Sequence, residues 1–219
     1  MSIVDASGFV VALALTYLLG WSTRDLIWSF WVSSLVVGTA HIAAANFGPA
    51  LGPGVPAAGR VLLFAFGLPG VAFFLFHFGF FHYIHAHILS LPFPPIDDPG
   101  RVYVGTLTWR NVRPFSFTET LAVGFSRYSP IALVALVREW PSIRAAAGRD
   151  RTERGTVDAA YRSVIRIHVV VLLSIAFFAV GVDSFATFVI VFAIYFAPRG
   201  SWGALAGVLR PRVPPNDAS

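Results

Sequence analysis

Hydrophobic residues in this chain gather into runs long enough to cross a bilayer, and the polar positions fall mainly between them. About 20 residues of helix cover the roughly 30 Å of bilayer hydrocarbon. Six runs approach that length, near residues 6–21, 26–47, 61–86, 118–137, 163–182 and 184–198. The first and last are short, about 15 residues, a length that suits a tilted, partner-buried or interfacial helix as well as a crossing one. Gly8–Leu19 has no basic segment before it and no small-residue cleavage site after it, so it is read as a span and not as a signal peptide.

The breaks have their own chemistry. "GPALGPGVPAAG" (48–59) is too rich in Gly and Pro to continue a helix, "LPFPPIDDPGRVYVGTLTWRNVRPF" (91–115) is longer, and "REWPSIRAAAGRDRTERGTVDAAYR" (138–162) is charged. No internal repeat is visible. The pattern predicts an all-α integral membrane protein of about six transmembrane helices in one bundle, residues 1–200, followed by a tail at 201–219.

Composition excludes an ordinary soluble domain: 56% of residues are hydrophobic, 12% charged, and mean hydropathy is +0.71. There is no cysteine, which removes disulfides, thiolate metal sites and cysteine nucleophiles. Every one of the 16 cations is arginine. With six spans, 11 arginines (60, 138, 144, 149, 151, 154, 162, 166, 199, 210 and 212) fall on one side and four (24, 101, 110 and 113) on the other. The positive-inside rule then places both termini and the C-terminal tail in the cytoplasm, and 91–115 outside. Splitting the third run at Pro69-Gly70 would put the basic 138–162 segment outside, which argues against seven spans. A net charge of +5 would point to nucleic acid in a soluble chain, but here topology accounts for it, so the expected partner is the lipid bilayer and not nucleic acid.

Histidine and one arginine carry the candidate chemistry. "FHFGFFHYIHAHIL" (76–89) holds four of the six histidines. Measured from Val61 at about 1.5 Å per residue, His77 lies about 24 Å along its span, and His82, His85 and His87 approach the outer interface. His77 is therefore expected to face the bundle interior, with Gly79 admitting a neighbouring helix, while the other three line the outer mouth beneath 91–115. His82 and His85, at i and i+3, share a helix face and form the candidate pair for a transition metal or haem. His41 and His168 fall near the cytoplasmic ends of their spans. The first alternative is that His82, His85 and His87 are interfacial residues bonded to headgroups, water and the 91–115 loop, and the second that His77 and His85 form interhelical hydrogen bonds.

Arg127, in "GFSRYSP" (124–130), sits midway along its predicted span, where an arginine left facing lipid costs from about 3 kcal/mol upward. It is expected to face protein or a cavity, with Ser33, Ser34 and Ser129 at similar depth and with carbonyl oxygen freed by Pro130. The HExxH, GxSxG, Walker A and dinucleotide patterns are absent, and no predicted span interior carries Asp or Glu. That leans against an enzyme and against a carboxylate proton relay. The aspartate pair in "PPIDDPG" (94–100) reads as an exposed turn.

His77-Phe78-Gly79-x-Phe81-x-x-x-His85 resembles the core motif of a bacterial family of multi-pass membrane proteins, the domain-of-unknown-function 6498 family. Trp21, Asp25, Phe30-Trp31 and Gly38 are similar to that family's second-helix pattern, and His168 near Arg162 and Arg166 to the entry of its fifth span. Ser33-Ser34 stand where the family tends to carry Glu-Asn, His41 where an Asn is common, and Ser126-Arg127 at its fourth-span Ser-His. The resemblance implies a fold and no activity, and the expected location of such a multi-pass chain is the bacterial inner membrane.

Three functional classes fit. A non-enzymatic accessory or scaffold subunit would act through its outer surface, as a homo-oligomer or beside a membrane-protein partner. A small permease or lipid- or anion-binding protein would use a polar cavity around Arg127. A haem- or metal-binding redox protein would use the His77–His87 cluster.

Overall fold

The computed structural model describes residues 3–90, 93 and 116–148, together with helical or turn positions 165, 169–177, 179–181, 186–187, 189–191 and 193. Among the described residues the chain is helical with no strand. Four long elements are complete: α1 (Ile3–Leu18), α2 (Thr23–Phe47, continued by a 3-10 turn at Gly48–Leu51), α3 (Ala57–Ser90) and α4 (Phe117–Gly148). Three of them, Thr23–Leu51, Ala57–Ser90 and Phe117–Gly148, are long and apolar enough to cross a membrane. The fifth and sixth predicted runs lie largely outside the described residues, as do most of 91–115 and 149–162.

The α1–α2 connection is written in the local sequence. Gly20 adopts φ 60°, and the N–H groups of Gly20 and Trp21 donate back to Tyr17 O and Thr16 O, the paired bonds of a Schellman stop. Two residues on, Ser22 caps α2: its hydroxyl accepts from Asp25 N, and the Asp25 carboxylate accepts from Ser22 N. One helix is closed and the next opened within six residues.

α2 is the axis of the fold. Of its most apolar window 72% is buried, against 33% for α4 and 11% for α3. Its contacts with α3 run in opposite chain directions: Trp28 meets Phe93, Trp31 meets His82, Gly38 meets Phe78, and Asn46 meets Gly67 and Gly70. Those with α4 run in the same direction, from Asp25–Tyr128 through His41–Ser142 to Gly48–Ala147. Successive helices α2, α3 and α4 thus alternate in direction, as consecutive crossings of a bilayer must.

α4 differs from its sequence expectation. The apolar run ends at residue 137, but the helix continues through Pro141 to Gly148. Charged residues end a hydropathy run without ending a helix. Here Arg138, Ile143 and Ala146 are buried, and Arg138 packs on Gly8 of α1.

α2 and α3 interlock at Gly38 and not, as expected, at Gly79, and their backbones come close at Gly67, where a Cβ would lie 2.8 Å from Asn46 O. The Phe78 ring fills the space that a Cβ on Gly38 would need, whereas a Cβ on Gly79 would meet nothing within 4 Å. Helices in lipid associate by packing, so a glycine that admits a neighbour's ring matters more than it would in water. Gly38→Val should therefore destabilise the fold by about 1–3 kcal/mol through overpacking, and Gly79→Ala should be close to neutral. Thermal unfolding of the two variants in detergent measures the difference.

Candidate functional site

The polar centre of the molecule forms where the start of α2 meets α4. Asp25, in the first turn of α2, is buried with 3% of its surface exposed. Its Oδ2 accepts from Ser22 N at 3.0 Å and Ser22 Oγ at 2.6 Å. Its Oδ1 accepts from Tyr128 Oη at 3.0 Å and pairs with Arg127 Nη2 at 3.0 Å. A carboxylate offers about four lone-pair positions, and all four are occupied. The negative charge also lies at the positive end of the α2 dipole. Trp21 closes the site by packing edge-on against the Tyr128 ring, centroids 5.5 Å apart.

Arg127 is thereby relocated. A mid-span position follows only if α4 ends near residue 137; α4 reaches Gly148, and the partner of Arg127 lies in the first turn of α2, about 15 Å from that helix's middle. The guanidinium therefore sits toward a helix end, with 43% of the side chain exposed. The three serines do not gather around it. Ser33 is buried and donates to Ser29 O at 2.7 Å within its own helix, Ser34 is buried, and Ser129 is exposed. The predicted run 26–47 stops one residue short of the carboxylate, whereas the candidate span Thr23–Leu51 includes Asp25 in its first turn. Its signal was present in the sequence: Ser22-x-x-Asp25 ahead of an apolar run is a helix-start pattern.

The histidines are arranged opposite to expectation. The face of α3 that meets α2 comprises Phe78, His82, His85 and Leu89, at i, i+4, i+7 and i+11, all buried. His77, one residue before Phe78, is turned about 100° away. It is half-buried, stacked on Phe73 and edge-on to Phe81. His87 is exposed and stacks on Tyr83.

His82 Nδ1 lies 3.0 Å from Phe78 O. A carbonyl can only accept, so this contact puts the proton on Nδ1. The His82 ring packs on Trp31 and Phe78, and Trp31 Nε1 donates to His82 O at 3.1 Å. His82 and His85 do meet, ring centroids 6.3 Å apart, with His82 Nε2 and His85 Nδ1 sealed from solvent. Among the described residues, no three His, Asp or Glu side chains come close enough to hold a metal ion.

At the far end of α2, His41 is buried, with Nδ1 3.2 Å from Val37 O and Nε2 3.2 Å from Ser142 Oγ. By the same reasoning Nδ1 donates, and the Ser142 hydroxyl donates to Nε2. His168 lies outside the described residues.

Asp25 has more to lose than Arg127. Asp25→Ala removes the acceptor shared by Tyr128, Arg127 and Ser22 and should cost about 3 kcal/mol. Arg127→Ala removes a half-exposed partner and should cost about 1 kcal/mol or less. A double-mutant cycle between Asp25→Ala and Tyr128→Phe, read by unfolding in detergent, should show coupling of about 1 kcal/mol or more.

No curated protein and no solved structure matches this chain significantly. A family model does match, over residues 9–197, a span that contains every residue of the Asp25 site and of the histidine cluster. The chain belongs to that family, a family of unknown function (DUF6498).

Proposed function

We propose that this chain is a six-span protein of the bacterial inner membrane, both termini cytoplasmic, that serves as a non-enzymatic accessory or scaffold subunit. Its working surface is the outward face of α3. The observation that carries this reading is the contrast between apolarity and burial. α3 has the highest mean hydropathy of the three candidate spans, 2.1, yet only 11% of that window is buried against the rest of the chain. Its exposed face is aromatic and not merely aliphatic: Phe66, Phe73, Phe76 and Phe80 are each more than half exposed. Phe76 and Phe80 stack on one another at 6.5 Å. Rings ordered in this way offer a shaped surface to a neighbouring helix. The buried polar groups, by contrast, are engaged in fastening helices: Asp25 to α4, His41 to Ser142, Trp28 and Trp31 to the end of α3.

A second reading is favoured by one observation. Among the described residues Arg127 pairs with Asp25 through Nη2 at 3.0 Å and is 43% exposed, so its guanidinium is able to take an anionic lipid headgroup or small anion as well. A haem or metal reading rests on the His82 and His85 pair alone.

A photo-reactive residue at Phe76 or Phe66 tests the docking face in native membranes. The expected result is a discrete protein adduct at Phe76 and no intermolecular adduct from Val32 in the core. Adducts to lipid alone at both α3 positions would remove the scaffold reading.

Topology is checked separately. Reporter fusions after residue 105 and after residue 150 should read opposite sides of the membrane, with the latter cytoplasmic. Equal readings would exclude the proposed orientation.

A further inference from the structure

We infer that water from the side on which α4 ends, the cytoplasm in the orientation proposed above, reaches along that helix as far as Trp140, while α3 keeps apolar surroundings for about another 25 Å at the same end. The cytoplasmic half of the protein then carries a water-filled recess on its α4 side. The recess does not depend on what docks on α3.

One stripe of α4 marks where hydrocarbon stops. Leu133, Val137, Trp140 and Arg144, at i, i+4, i+7 and i+11, lie within about 60° of one another around the helix, and all four are exposed. In chain order the stripe passes from aliphatic to tryptophan to arginine. That is the succession of a membrane border, with indole at the headgroup level and guanidinium beyond it. Glu139 is half-buried on the flank of the stripe, and the helix runs on to Gly148.

α3 sets a different border. Between Val61 and Phe76 it carries no charged and no hydrogen-bonding side chain, and Leu62, Phe66, Leu68 and Phe73 are each more than half exposed. Water along that stretch would hydrate the whole surface, so apolar surroundings must follow α3 down to Arg60.

Contacts through α2 put the two helices on one scale. His41 meets Ser142 and Gly48 meets Ala147, while Gly38 meets Phe78 and Asn46 meets Gly67 and Gly70. Trp140 is therefore level with α2 near Thr39 and with α3 near His77, about 5 Å from the middle of α3. Arg144 falls level with α3 near Ala72. From His77 down to Arg60 is 17 residues, about 25 Å of helix. The ring contact of Phe64 with Phe47 keeps that part of α3 beside α2, past Pro69.

Tilting the bundle does not remove the step. Neighbouring helix axes lie about 10 Å apart, so α3 and α4, each packed on α2, are separated by about 20 Å at most. A tilt of about 40° turns that into about 13 Å of depth, and about half of the 25 Å remains. An exposed arginine at such a depth is strongly disfavoured beside acyl chains, and water satisfies it.

The chain has no cysteine, so introduced thiols report without background. Single cysteines are placed in the full chain at Trp140, Arg144, Phe66, Phe73 and Leu133, and membrane vesicles of both orientations are treated with an impermeant maleimide. A thiol reacts as its thiolate, which forms in water and not in hydrocarbon. Trp140→Cys and Arg144→Cys should label about tenfold faster, or more, than Phe66→Cys, Phe73→Cys and Leu133→Cys, and from the cytoplasmic face. Thermal unfolding of each variant in detergent shows that labelling reports the native fold. A second readout needs no labelling: Ala145→Arg should keep accumulation within about twofold of the parent chain, and Phe73→Arg, at nearly the same level, should lower it about tenfold.

Slow labelling at both Trp140 and Arg144, or equal tolerance of the two arginines, would overturn the inference. So would fast labelling at Phe66, since water would then surround the end of α3. Labelling of Arg144→Cys from the opposite face alone would reverse the proposed orientation and leave the recess in place.

Discussion

A carboxylate sealed from water must have every lone pair engaged, and Asp25 meets that condition in a way that ties α2, the α1–α2 turn and α4 together. Its partners come from the α1–α2 turn through Ser22 and from α4 through Arg127 and Tyr128. An isolated buried charge costs several kcal/mol, so none of these elements can shift without exposing the rest to that penalty. The position also makes use of backbone electrostatics, since an anion at a helix N-terminus is stabilised by the free N–H groups there.

From that anchor the remainder of the packing follows along α2. Parallel to α4 and antiparallel to α3, α2 meets them through small residues where backbones approach and through indole or imidazole hydrogen bonds where they do not. Gly38 admits Phe78, and Gly124 lies 3.0 Å from Val32 Cγ2 where its Cβ would stand. Trp31 donates to His82 O in the last third of α3, and Trp28 to Phe93 O just beyond it. Without a hydrophobic drive between helices in lipid, contacts of these two kinds are what hold a bundle together. Among the described residues α3 meets α2 along a narrow stripe and touches α4 at Tyr83–Phe117, and most of its apolar surface is left exposed, which makes it the element able to engage something outside the chain.

Two kinds of histidine result. His82 and His85 lie on the stripe and belong to the internal packing, beside Trp31. His77 lies off it, among phenylalanines. The same residue type, eight positions or fewer apart in sequence, is thus internal glue in one case and an outward polar group in the other, and the difference is only the angle around one helix.

Much of this architecture could be read from the amino-acid sequence alone: helical class, the family resemblance, and three long helices at 26–47, 61–86 and 118–137. Hydropathy over 20 residues reports transfer into hydrocarbon, a property each segment has by itself. The stop and start around Gly20 and Ser22 were equally local, in a left-handed glycine followed by a capping pair. What hydropathy could not report was the end of α4, because a helix persists through charge and through a proline when neighbours bury it. Nor could it assign facing. Whether His77 or His82 turns inward depends on which stripe of α3 meets α2, and that was decided by Gly38 making room for Phe78. Arg127 was visible as an arginine in an apolar run, but its partner lay 102 residues away at the start of another helix. Only the packing of α4 on α2 brings that pair within 3.0 Å, because an ion pair depends on distances in space that no segment carries alone.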